Sequence, residues 1–369
     1  MAALASASDS SADLDERFMA RANDLALRGW GRTYPNPIVG ALIVRDGAEV
    51  GAGWHHEFGE PHAEVVALAA AGAAARGATL YSTLEPCTHT GKQPPCVDAI
   101  VAAGVARVVI AVADPNPDAA GGAEALRQRG VTVEVGTLDA AVARRNFRFL
   151  RRFAATTRPF VAIKLAVSMD GMIADARGHS RWVSGESARA WAHWLRAGFG
   201  AVAAGARTVL ADDARLTARG EVTPRVPPVR VVFDRSGKLR AGQAIFADAA
   251  AGPVVVVTGS GADDRLGAEL RASNAEILVS DDLATALTML ARRGIDSIVV
   301  EGGGELAGAL LHAGLVDRIY QVQCPVWLGA GTPAWHGLGN VAIETAPRWR
   351  VMEVSPLGEC GDTLLEMER

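Results

Sequence analysis

The chain has 369 residues, 49% of them hydrophobic and 21% charged, and a formal net charge of −4. That length accommodates two domains with separate cores, and the slightly acidic balance offers no basic field to recruit nucleic acid. No apolar run approaches the ~20 residues that cross a bilayer, and the opening MAALASASDSSAD has neither the basic start nor the apolar centre of a secretory signal.

In chain order, residues 1–12 read as a disordered Ala/Ser tail. Asp13 with Glu16 predicts a capping box, followed by a helix whose stripe Leu14, Phe18, Ala22, Leu25 ends near Gly29. TYPNP is loop chemistry, and VGALIV-RDG-AEVGAGW predicts a hairpin turning at Asp46-Gly47. There follow a helix from His62, a strand TLYSTL, a helix from Cys96, a strand RVVIAV, a helix ending at Gly130, VTVEVG, and one helix over LDAAVARRNFRFLRRF. This alternation implies a three-layer α/β/α domain over residues 13–150, with reactive groups at strand ends and helix starts. The basic stretch 151–158 reads as a linker with a solvated surface.

The chemistry of this half lies between His55 and Asp98. His62, Cys87 and Cys96 offer one imidazole and two thiols, soft ligands that suit zinc, and three protein ligands leave the fourth tetrahedral position for water. Glu64, two residues on from His62, is roughly 200° around a helix from it. That argues against both binding one ion and for Glu64 handling protons, the division of labour in zinc nucleobase deaminases. Pro86-Cys87 and Pro95-Cys96 put both cysteines at expected helix starts, which favour thiolate. The alternatives are a structural zinc or no metal at all, with the cysteines unrelated core residues; His55, His56 and His89 make no second pair that would close a structural site. Cys324 and Cys360 read as small core residues. With no disulfide framework, the expected compartment is reducing cytoplasm.

From Pro159 to the end a second strand–helix alternation begins: FVAIKLAVS, a helix around SARAWAHWLRAG, AVAAG, VRVVFD, VVVVTG, a helix DLATALTMLARRG, SIVVEGGG, a helix ELAGALLHAG and RIYQVQCPVW. No GxGxxG follows its first strand, so the ordinary dinucleotide fingerprint is missing there. Gly302-Gly303-Gly304 comes late, between a strand and a helix, where glycines let backbone N–H groups approach a phosphate or simply make a turn.

The motifs YPNPIVG (34–40), GEPHAE (59–64), TLEPC (83–87) and GKQPPC (91–96) resemble the bacterial bifunctional riboflavin-biosynthesis deaminase/reductase, in which the long interval between the cysteines is the rule. In the second half KLAVSMDG (164–171), SRW (180–182), HWLR (193–196), GARTVLADD (205–213) and EGGG (301–304) resemble the reductase domain of that family. The resemblance implies a cytidine-deaminase-like α/β/α domain followed by a dihydrofolate-reductase-like α/β domain. It implies zinc and NADPH as cofactors, a phosphorylated pyrimidine as substrate, and homo-oligomers. Asn36, His55 and Lys92 are then expected to grip the substrate of the deaminase. In the reductase, Ala166, Trp182, Thr208, Asp212, Ser236 and the Gly302–Gly304 loop are expected to hold NADPH. Ser180, Arg196, Arg215, Arg219 and Glu301 are expected to meet the ribose phosphate. Lys164 projects from an otherwise apolar strand, where a lysine is costly without a partner. Asp212 is the expected partner, and the two would assist proton transfers; the alternative is a surface lysine with its stem on apolar neighbours. Met172 stands where the family has a basic residue, Ala214 where it has proline, and Thr90 where a second histidine is common. The loop Asp114-Pro115-Asn116-Pro117 continues one residue short and without a base. These departures leave open a chain that is a deaminase only, with its second half inactive or a binding module.

Overall fold

The computed structural model describes residues 11–262, 269–338 and 342–369, and the chain divides into two compact units, Met1–Ala154 and Ala155–Arg369. Residues 1–10 of the expected tail lie outside the described residues, and Ser11 already opens helix α1 (Ser11–Ala26). Asp13 therefore lies inside the first turn instead of capping it.

In the first unit, β1 (Gly40–Arg45) and β2 (Ala48–Trp54) form the expected hairpin. Asp46 and Gly47 adopt φ of 51° and 76°, the two left-handed residues that a two-residue turn needs. With β3 (Thr79–Leu84), β4 (Arg107–Val112) and β5 (Thr132–Val135) they make a sheet ordered β2-β1-β3-β4-β5. β1 runs antiparallel to both neighbours, and β3, β4 and β5 are parallel.

Side chains alternate across the sheet with period two. Ile43, Leu80, Val108 and Ile110 pack with Ala67 of α2 (Ala63–Ala71), Ile100 of α3 (Cys96–Ala103) and Leu126 of α4 (Gly122–Gln128). Leu42, Val44, Tyr81 and Val109 pack with Met19 and Leu25 of α1 and Val142 of α5 (Asp139–Arg145). The result is the expected three layers. α2 lies flush on β2 because Gly53 has no side chain: a Cβ there would come within 2.5 Å of the Ala63 carbonyl oxygen and the Ala67 nitrogen. The single helix expected over 138–153 is two, α5 and α6 (Phe147–Arg151), broken at Asn146 (φ −94°, ψ 18°).

The second unit contains β6 (Phe160–Ser168), β7 (Met172–Ala174), α7 (Glu186–Ala197), β8 (Ala201–Gly205), α8 (Ala206–Asp212), β9 (Val229–Asp234), β10 (Val254–Thr258) and β11 (Ala275–Val279), then α9 (Leu283–Ala291), β12 (Ser297–Glu301), α10 (Gly304–His312), β13 (Arg318–Cys324), β14 (Thr332–Pro333), β15 (Arg350–Leu357) and β16 (Asp362–Glu368). Its main sheet is ordered β11-β10-β9-β8-β12-β6-β13-β16-β15. Strands β11 through β13 in that order are parallel, and β16 and β15 close it antiparallel. The central strands are near-continuous runs of Val, Ile and Ala because both faces are covered. All their carboxyl ends open at one edge of the sheet, where open α/β folds place ligands. Cys324 is buried at the end of β13, as expected, but Cys360 is exposed. It sits in the Gly358–Gly361 turn between β15 and β16, where the chain reverses at the surface.

Candidate active sites

In the first unit three ligand atoms converge. His62 precedes α2 as its N-cap, with extended backbone (φ −72°, ψ 160°), and Cys96 is the first residue of α3. Cys87 lies just past β3 and opens no helix, contrary to expectation. Its sulfur nevertheless accepts from the Cys96 N–H at 3.4 Å, so the same helix N-terminus serves both thiols. His62 Nδ1 is 3.3 Å from Cys96 Sγ and 3.5 Å from Cys87 Sγ, and all three ligand atoms lie within 4.8 Å of one another. These spacings suit a tetrahedral zinc with Zn–S near 2.3 Å and Zn–N near 2.0 Å. Among the described residues no fourth protein ligand joins the cluster.

The hydrogen bond from Cys96 pulls the Cys87 thiol down, while Cys96, bonded to Cys87 and buried, is pushed up, so only Cys87 shows the thiolate preference expected of both. The bond to Cys87 raises His62. Burial pushes the Glu64 carboxyl above its ordinary value, with His62 opposing, and Glu64 is 4% exposed.

Around the cluster is a cavity of about 250 Å³ lined by Asn36, His55, Phe58, Glu64, Lys92, Gln93, Asp114 and Phe149, among others. His55 is buried, and burial lowers its pKa to about 4, so the ring is neutral near pH 7. Its Nδ1 lies 3.2 Å from the Pro61 carbonyl oxygen and its Nε2 3.1 Å from Asn36 Nδ2. Those two neighbours fix the tautomer: Nδ1 donates and Nε2 accepts. Lys92 is exposed, with its ammonium 4.2 Å from the Phe58 ring centroid.

Two carboxylates had no assigned role in the sequence. Glu85 accepts from the N–H groups of Asp114 (3.0 Å) and Ala123 (2.9 Å), tying the Cys87 loop to the end of β4 and the start of α4. Asp114 faces the cavity with its pKa raised by burial. The only signal for Glu85 was its place in TLEPC.

In the second unit the carboxyl ends of β6, β8, β9 and β12 carry most of the expected residues. Thr208, in α8, packs against the glycine loop: a Cβ on Gly302 would come within 2.5 Å of its methyl and 2.9 Å of its hydroxyl. Gly302 and Gly303 take φ of 73° and 41°, leading into the N-terminus of α10. Bare backbone N–H groups at a helix start, with a hydroxyl beside them, fit the phosphates of a dinucleotide. Ser236 is exposed two residues beyond β9, and Ala166 is half-buried on β6. Trp182 is 69% exposed, with the Arg189 guanidinium 4.4 Å from its ring.

The carboxylate in register with Lys164 is not the one expected. In register it lies between Glu301 on β12 and Tyr320 on β13. Burial pushes its ammonium below the ordinary value, and the strongest opposing charge is Glu301. Asp212, at the end of α8, lies instead 4.0 Å from Arg181. A cross-strand position in a parallel sheet is invisible to linear spacing, which is why Asp212 was the expected partner. Glu301 also receives Arg196 in two bonds of 2.6 and 2.8 Å. Burial works to raise the Glu301 carboxyl, but Arg196 and Lys164 carry it below its ordinary value. Arg196 Nη1 donates to the Thr217 carbonyl at 2.8 Å, and His193 lies beside it at 3.3 Å. Arg215 and Arg219 are exposed and Ser180 is half-buried. Met172 starts β7, paired with β14.

Comparison with known proteins covers both units. The profile of the cytidine and deoxycytidylate deaminase zinc-binding region matches residues 12–112, and that of the RibD C-terminal domain matches residues 159–360. The riboflavin biosynthesis protein RibD of Escherichia coli K12 is 40% identical over 376 residues, covering 93% of this chain and 97% of that protein. The RibD of Mycobacterium tuberculosis H37Rv is 39% identical over 345 residues, with 91% and 92% covered. Among solved structures, RibD of Acinetobacter baumannii superposes with a TM-score of 0.77 at 35% identity over 97% of this chain and 99% of that one. A Thermotoga maritima structure described as a diaminohydroxyphosphoribosylaminopyrimidine deaminase/5-amino-6-(5-phosphoribosylamino)uracil reductase gives 0.78 at 35% identity, with 97% and 99% covered. With both profiles matched in order and relatives aligned nearly end to end, the chain belongs to the RibD family of riboflavin-biosynthesis proteins.

Proposed function

We propose that His62, Cys87 and Cys96 hold zinc and that Glu64 moves the proton in the first of two consecutive reactions of riboflavin synthesis. The family is bifunctional, a zinc-dependent deaminase and an NADPH-dependent reductase, and relatives aligned over both units disfavour a deaminase-only chain. The first reaction removes ammonia hydrolytically from 2,5-diamino-6-ribosylamino-4(3H)-pyrimidinone 5′-phosphate. When bound, zinc supplies the Lewis acidity that makes water an effective nucleophile near neutral pH. Glu64 takes the water's proton as oxygen attacks the amino-bearing ring carbon, then gives it to the departing ammonia. Its burial suits both steps, because a raised carboxyl pKa narrows the gap between base and acid. Asn36 and His55 would orient the pyrimidine in the cavity, and Lys92 would face its phosphate or ribose at the open side.

In the second unit Lys164 and Glu301 would attend the ribosyl carbon that is reduced to ribityl. NADPH supplies the hydride. Thr208 and Gly302–Gly304 would hold its phosphates, with Ala166, Trp182, Asp212 and Ser236 along the same edge, while Ser180, Arg196, Arg215 and Arg219 would meet the substrate phosphate. We read the protein as cytoplasmic, and as assembling with further copies through β15, where Val351 and Val354 are 50% and 59% exposed. Among the described residues no helix is long and apolar enough to cross a membrane.

The observation that carries this reading is the cluster of one imidazole and two sulfurs with Glu64 beside it. Glu64→Gln tests it. Zinc content should stay at the wild-type level while ammonia release falls by roughly 10²–10⁴-fold. Full deaminase activity in that variant would remove the proton-transfer role.

A further inference from the structure

Residues 113–158 lie between the two matched family regions, 12–112 and 159–360. They nevertheless reach the deaminase site. Asn146, at the break between α5 and α6, is 4% exposed and spends its whole side-chain amide on one backbone residue. Its Oδ1 accepts from the Ile38 N–H at 3.0 Å, and its Nδ2 donates to the Ile38 carbonyl at 2.9 Å. Two further contacts reach the same loop from α6 and its end. Arg152 donates to the Pro35 carbonyl at 2.7 Å, and the Arg148 guanidinium lies 3.7 Å from the Tyr34 ring centroid.

Asn36 sits in the middle of that held loop. Its amide meets His55 Nε2 at 3.1 Å, and His55 Nδ1 meets the Pro61 carbonyl at 3.2 Å, one residue before His62. The contacts form one continuous series from Asn146 through Ile38, Asn36 and His55 to the segment bearing the metal ligand. Phe149, from α6, also lines the cavity.

We propose that Asn146 is a positioning residue of the deaminase, fixing the Tyr34–Ile38 loop so that Asn36 and His55 present one hydrogen-bonding geometry to the pyrimidine. The proposal rests on the reading of Asn36 as a substrate-binding residue. An amide suits the position because its oxygen accepts from the N–H and its nitrogen donates to the carbonyl of the same residue at once. An aliphatic side chain would leave both groups buried and unpaired, and an aspartate would set a negative oxygen against the carbonyl.

The test uses the whole, zinc-loaded chain and compares Asn146→Ala, Asn36→Ala and Arg152→Ala with wild type for zinc content and for the kinetics of both reactions. Asn146→Ala, which removes both hydrogen bonds to Ile38, should raise KM for the diaminopyrimidinone phosphate roughly tenfold. Zinc content and the kinetics of NADPH oxidation with deaminated substrate should stay at wild-type values. Asn36→Ala should raise the same KM, and Arg152→Ala should raise it less, which keeps the proposal testable if Asn146→Ala does not fold. A rise in KM for Asn36→Ala with KM within twofold of wild type for the Asn146 and Arg152 variants overturns the proposal. So does a loss confined to kcat that tracks the folded fraction. No change in Asn36→Ala overturns instead the reading of Asn36.

Discussion

Lys164 shows what one side chain's surroundings decide. Glu301 is in register across β12, and Arg196 grips the same carboxylate. The Glu301 carboxylate favours the ammonium, whereas burial disfavours it. If protonated Lys164 assists reduction, the alkaline limb of kcat/KM for NADPH oxidation follows its pKa. Glu301→Gln removes the anion, so the charged form is less favoured and that limb should move to lower pH by about one unit or more. Asp212→Asn should leave the limb where it is. A limb that moves in Asp212→Asn and not in Glu301→Gln would return the lysine to the partner first expected of it. Lys164→Met should abolish NADPH oxidation with ammonia release intact, measured on the same preparation.

At the scale of elements, His62 and Glu64 are placed by how closely a helix can approach a strand. Gly53→Ala inserts a methyl where Ala63 and Ala67 backbone atoms stand 2.5 Å away, so α2 must move off β2 and carry His62 and Glu64 with it. We expect a loss of about 1–3 kcal/mol in unfolding free energy, read by denaturant titration, together with weaker zinc retention against a chelator. A second inter-element device is Asp15 of α1. It receives the Tyr81 hydroxyl at 2.6 Å and the Arg107 guanidinium of β4 in two bonds. Arg107 holds the Asp15 carboxyl below its ordinary value against the opposing effect of burial. A depressed carboxylate adds stability that is fully present above the unfolded pKa near 4 and is lost as pH falls through the folded value. Asp15→Asn should therefore cost about 2–3 kcal/mol at pH 7. It should also flatten the fall in stability below pH 4; a variant that keeps the full acid slope would show that other carboxylates set it.

At the scale of the molecule, the two reactive clusters belong to separate compact units, each with its own sheet and core. Chelation of zinc should stop ammonia release while NADPH oxidation with already deaminated substrate continues at the wild-type rate. If chelation stopped both, the metal would have a part in the second unit, where no candidate metal cluster lies among the described residues. The clustering of His62, Cys87 and Cys96, the hairpin at Asp46-Gly47 and the two successive α/β halves could be read directly from the sequence, because ligand chemistry, turn conformation and hydrophobic period are properties of residues and short intervals. The partner of Lys164, the exposure of Trp182 and Cys360, the service of Cys87 by the α3 N-terminus and the hold of Asn146 on Ile38 could not. Each joins or separates positions by strand register, by a reversal of the chain at the surface or by contact across more than a hundred residues, and only packing in three dimensions sets those distances.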